Sequence, residues 1–131
     1  MKKFPFIGLS QSLIVFRIAV GLMLAAHGVT RLSAGTVNGF GEFLNSKRFI
    51  IGPAVAWFLT AFEITGGLVM AAGNWVKWIA AVFMIEIVMG IILVHANNGW
   101  FVVGYQSGGA EYSVLILLSL LVNEKESMNQ L

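Results

Sequence analysis

Cysteine is absent from this 131-residue chain, so no thiol relay, disulfide framework or cysteine-ligated metal or iron-sulfur cluster resides in it. Charge is scarce too. Charged residues make up 11% of the chain, less than half of the roughly 25% usual for a soluble domain. The net charge of +2 is scattered between apolar stretches rather than gathered in a block, which argues against a nucleic-acid partner. Apolar side chains take the remaining space: hydrophobic residues reach 58% and mean hydropathy is +0.86. That is too apolar for a surface facing water, and the composition describes a small integral membrane protein, a single domain over residues 1–131.

Between Lys3 and Arg31 the only charge is Arg17, which leaves room for a span of about 20 residues, placed at about 9–31. The basic start before an apolar run resembles a signal peptide. Arg17 interrupts the apolar region, however, and no A-x-A site follows, so the segment reads as a retained span. Residues 33–52 are polar and glycine-rich but carry Val37, Phe40, Phe43 and Leu44 at helical spacing, which predicts a short helix lying in the membrane interface. Gly39 and Gly41 count against that helix. Pro53 suits the first turn of a second span to about 72, in which Glu63 is the only charge. Gly73 and Asn74 make a turn, and Trp75 and Trp78 bracket Lys77 as an interfacial anchor for a third span over about 76–95, with Glu86 near its middle.

The last stretch contains a conflict. Tyr112 to Val122 is 11 uncharged residues, about 17 Å of helix against a hydrocarbon core of about 30 Å. A full crossing must draw in residues upstream, giving a span of about 104–122 with Glu111 and the Gly108-Gly109 pair inside the membrane thickness. Irregular backbone at that depth is tolerated where protein buries it or water reaches it, so the segment is expected to line a cavity. The alternative is a half-span with Glu111 at the surface. The expected fold is therefore an all-α integral membrane protein: a four-transmembrane-helix bundle with a short interfacial segment between spans one and two.

Charges inside these spans constrain the packing, since each costs roughly 2.5–3.5 kcal/mol at the bilayer centre if left to lipid. Arg17, Glu63 and Glu86 are expected to form a buried charge network in which Arg17 pairs with one of the two glutamates. Glu63 shares a helical face with Thr60, Gly66, Gly67 and Met70, and Arg17 shares one with Gly21 and Gly28, stripes that let helices approach closely in lipid. A plainer reading makes these stripes packing seams locked in register by a charge pair. Lys2, Lys3, Lys77 and Lys125 on one side against Arg31, Lys47 and Arg48 on the other put both termini in the cytoplasm, by a thin margin.

Two histidines, His27 and His95, fall near the outer span ends. Ligation of a haem between them is disfavoured, because interfacial histidines are commonly just hydrogen-bonded and the helical phase does not converge. A quinone head group fits better: its carbonyl oxygens need donors such as His or Tyr, and its protons need a carboxylate, all within reach of lipid. His27, His95 and Glu111 are the candidate catalytic groups, and Tyr112 with the two histidines the candidate cofactor-binding groups. Taken singly, Tyr112 and the tryptophans also suit an aromatic belt. No metal site is expected.

The segments RIAVGLMLAAHGVTRL at 17–32, EITGGLVMAAG at 63–73, HANNGWF at 95–101 and GGAEYSVLILL at 108–118 together resemble the DoxX family of membrane proteins. The resemblance implies a four-helix membrane bundle in a bacterial plasma membrane, associated in some relatives with quinone-linked oxidation of sulfur compounds and in others with membrane oxidoreductase complexes. Without cysteine, sulfur chemistry here would need a partner. The leading expectation is a quinone-interacting membrane subunit of an oxidoreductase system, with a membrane or periplasmic oxidoreductase as partner and a second copy of the chain in a homo-oligomer. The alternatives are a small proton-coupled transporter using Glu63 or Glu86, and a non-catalytic assembly subunit whose glycine stripes dock a partner.

Overall fold

The computed structural model describes residues 8–94, 99, 100 and 111–129, with side chains left out at 111 and 123–129. Among them every regular element is a helix: α1 Leu9–Ser33, α2 Val37–Ser46, α3 Gly52–Ala71, α4 Val76–Leu93 and α5 Glu111–Asn129. Helices α1, α3 and α4, of 25, 20 and 18 residues, are long and apolar enough to cross a membrane. The expected fourth span is not among them. Helix α5 has 19 residues, but its apolar part is only Tyr112–Val122. Residues 101–110, on which a crossing over 104–122 depends, lie outside the described residues together with Gly108 and Gly109. Among the described residues, what stands is an all-helical arrangement with three candidate spans.

The chain divides into two compact units, Ile18–Asn74 and Met1–Arg17 with Trp75–Leu131. In the first, α1 and α3 run antiparallel with backbones in contact. A Cβ on Gly21 would sit 2.6 Å from the Gly67 carbonyl oxygen, and one on Gly28 would sit 2.8 Å from that of Thr60. Only glycine permits this approach, and the buried residues of α3, from Gly52 through Ala56, Thr60, Glu63 and Gly67 to Met70, form one stripe at helical spacing.

The short helix between the first two long ones is present as α2. Val37, Gly41 and Leu44 are its buried face. Gly41 weakens α2 by about 1 kcal/mol of helix propensity, yet it lets the helix lie on α3, because a Cβ there would meet the Pro53 Cα at 2.5 Å. The contact wins over the propensity. Asn45 of α2 then accepts the Gly52 N–H through Oδ1 at 2.8 Å, satisfying a donor at the start of α3 that no local side chain caps. The helix ends are also specific. Gly35, at φ +70°, closes α1 with the Thr36 N–H donating to the Arg31 carbonyl at 3.1 Å. Arg48 closes α2 at φ +73°, where the Phe49 N–H donates to the Leu44 carbonyl at 3.1 Å.

In the second unit, α4 packs on α5. Val76, Ile79, Ala80 and Phe83 are buried on α4, and Ser113, Ile116, Ser119 and Leu120 on α5, each set repeating every three or four residues as a helix face requires. Ser119 settles its buried hydroxyl by donating to the Leu115 carbonyl at 2.8 Å. Large apolar side chains such as Leu22, Phe58, Ile85 and Leu115 are about half exposed or more. Water would not tolerate so much apolar surface on a monomer, whereas lipid does.

Candidate functional site

Glu63 sits beyond the middle of α3 with its side chain 7% exposed, and a carboxylate buried that far needs a cation. The cation is Arg31, in the last turn of α1 and 20% exposed. Its Nη1 donates to Glu63 Oε2 at 2.7 Å, and its Nη2 donates to Oε1 at 3.4 Å. The same Nη1 donates to Thr60 Oγ1 at 3.2 Å, while the Thr60 hydroxyl donates to the Ala56 carbonyl at 2.7 Å. The guanidinium also lies over the Phe40 ring of α2, 4.5 Å from its centroid. One arginine thus ties three helices together. Its charge is placed favourably, because the C-terminal end of a helix carries partial negative charge.

The local sequence explains the geometry. Gly28, one turn before Arg31, brings α1 against Thr60 and Glu63, so that the arginine reaches across the seam instead of away from it. Both Glu63 oxygens accept from Arg31, a partner that the expected pairing of Arg17 with Glu63 or Glu86 did not include. Sequence reading missed Arg31 because it was counted among the outer cations at the end of the span. The signal was available in the helical phase, since Arg31 continues the Gly21–Gly28 stripe three residues on, and Glu63 occupies the facing stripe. Arg17 is half-buried in the other unit, where its Nε is buried and makes no hydrogen bond among the described residues. Glu86, half-buried on α4, belongs to that same unit.

The remaining predicted residues are distributed as follows. His27 is exposed on α1, one helical turn before Arg31. Tyr112 is exposed in the first turn of α5. Glu111 is the first residue of α5, but its side chain lies outside the described residues, as does all of His95. Among the described residues no group of three or more His, Asp or Glu is placed to hold a metal ion.

Chemically, the Arg31 cluster is a buried ion pair with donors to spare. A guanidinium carries five N–H groups, of which the contacts above use three. Residues 12–96, more than half of the chain, match the DoxX family model. No curated protein and no solved structure matches the chain.

Proposed function

Since the chain belongs to the DoxX family, a family of membrane proteins, we propose that it is a membrane subunit of an oxidoreductase system that binds a quinone head group near the outer ends of its helices. The observation that supports this reading is the state of Arg31: anchored by Glu63 and Thr60, still one-fifth exposed, and one turn from the exposed His27. Quinone carbonyl oxygens need fixed donors within reach of lipid, and these two side chains are such donors on one apolar helix. A quinone supplies two-electron, two-proton carrier chemistry. Arg31 and His27 bind and orient its oxygens, and Glu111, His95 and Tyr112, which belong to the other unit, stay candidates on their chemistry alone. Haem has no part in the proposal.

The same proposal includes a four-span bundle with 104–122 as the last span, in a bacterial plasma membrane with both termini cytoplasmic. Pairing with Glu63 removes Arg31 from the count of free loop cations. Four lysines on the cytoplasmic side then face only Lys47 and Arg48 on the other.

Two rival readings are weaker on specific grounds. A transporter that uses Glu63, rather than Glu86, to cycle protons would have to break a two-pronged contact with Arg31 in every turnover. An assembly subunit docking through its glycine stripes would need stripes that Gly21, Gly28 and Gly67 already use within the chain. Titration of the purified protein with a soluble quinone, followed by quenching of tryptophan fluorescence, tests the proposal. Saturable quenching is expected, weakened tenfold or more in His27→Ala at an unchanged melting temperature. Linear, non-saturating quenching in the unaltered protein would remove the quinone site.

A further inference from the structure

The turn between α2 and α3 combines features that the quinone reading does not use. Lys47 and Arg48 are adjacent and exposed, and among the described residues neither is paired with a carboxylate. Ile50 and Ile51 follow immediately, 96% and 63% exposed. An isoleucine left almost wholly uncovered would be unremarkable in a loose loop, but this turn is built. The Arg48 N–H donates to the Asn45 carbonyl and the Phe49 N–H to the Leu44 carbonyl, both at 3.1 Å, and Asn45 holds the Gly52 N–H at 2.8 Å. Arg48 also occupies a left-handed backbone position at φ +73°, where glycine is the unstrained choice.

We infer that this turn is a binding site for the phosphate groups of anionic phospholipids, with Lys47 and Arg48 at the headgroup level and Ile50 and Ile51 in the acyl region beside them. Its position agrees with that assignment. The turn leads directly into α3, a candidate span, and Trp57, in the first turns of α3, donates through Nε1 to Asn38 of α2 at 3.1 Å. A half-exposed tryptophan with its N–H satisfied on the polar side is the usual marker of the membrane-water interface. Charge selects the lipid. Between residues 36 and 52 the only acid is Glu42, which lies about 140° around α2 from Lys47 and so does not neutralise the pair. Lys47 is steadied by the Phe43 ring, 5.6 Å from its Nζ, and the two cations present adjacent donors to a phosphodiester.

The test compares melting temperatures of the full chain in mild detergent supplemented with phosphatidylglycerol, with phosphatidylcholine, or with inorganic phosphate. The unaltered protein should melt several degrees higher with phosphatidylglycerol than with phosphatidylcholine, and inorganic phosphate should not reproduce the gain. In the double variant Lys47→Gln, Arg48→Gly the difference between lipids should vanish. Its melting temperature without added lipid should hold or rise, because glycine suits the left-handed position. Equal gains from both lipids in the unaltered protein, an equal gain from free phosphate, or an undiminished preference in the double variant would each overturn the site. If the double variant does not fold, high salt applied to the unaltered protein decides: loss of the preference supports the site, and its persistence overturns it.

Discussion

Replacing Arg31 by alanine leaves Glu63 buried without its cation, and this substitution should be among the most damaging single changes in the chain. Removal of one partner of a buried ion pair costs roughly 3–5 kcal/mol. The Arg31 side chain is 20% exposed, so water softens the loss, and the lower end of that range, about 3 kcal/mol, is the expected value. At roughly 3–4 °C per kcal/mol for a chain of this size, the melting temperature should fall by about 10 °C. The loss of the Thr60 contact and of the Phe40 stacking acts in the same direction. Unfolding of purified protein in mild detergent, followed by tryptophan fluorescence, reads the shift. The double variant Arg31→Met, Glu63→Met separates a missing bond from a stranded charge, because two apolar side chains need no partners in a membrane interior. It should recover most of the loss. A shift of only a degree or two in Arg31→Ala, or strictly additive losses in the double variant, would refute the claim that this pair holds α1 on α3.

Three further outcomes follow from the packing. Gly21→Ala forces a methyl to within 2.6 Å of the Gly67 backbone oxygen and should reduce accumulation in the membrane, whereas Gly90→Ala meets nothing within 4 Å and should stabilise α4 by about 0.5–1 kcal/mol. Equal effects in thermal melts would contradict the α1–α3 contact. Asn45→Ala strips the Gly52 N–H of its acceptor and should cost about 1–2 kcal/mol in the same melts, with no loss for the exposed Asn74→Ala. Reporter fusions at residue 131 and within α2 should place the C-terminus in the cytoplasm and α2 outside it; both on one side would exclude an even number of spans.

Much of the fold was legible because bilayers impose simple rules. Apolar length, broken in each case by a single charge within the core of the stretch, marked α1, α3 and α4, Pro53 marked the start of α3, and the spacing of Val37, Phe40 and Leu44 marked α2 despite its glycines. Helical phase also grouped Glu63 with Thr60, Gly67 and Met70, the stripe that is buried. The partner of Glu63 was not legible from span depth. Depth arguments favoured Arg17, a charge inside a span, over Arg31, a charge at its end. A long side chain reaches inward when a glycine such as Gly28 closes the seam, so the length of the arginine and the approach of the backbones outweighed nominal depth. The role of Gly41 was obscured for a related reason: propensity counts it against a helix, and only the contact with Pro53 shows why it stays. His27 was singled out as a polar group on an apolar span, and it is exposed one turn from a charge cluster that the sequence did not reveal.

Extraction and quantification of quinone from protein purified in mild detergent tests the central claim most directly. The account predicts quinone retained at close to one molecule per functional unit, reduced at least severalfold in His27→Ala while that variant purifies and melts normally. Protein that binds no quinone when purified from quinone-replete membranes, or that retains the same amount in His27→Ala, would contradict it.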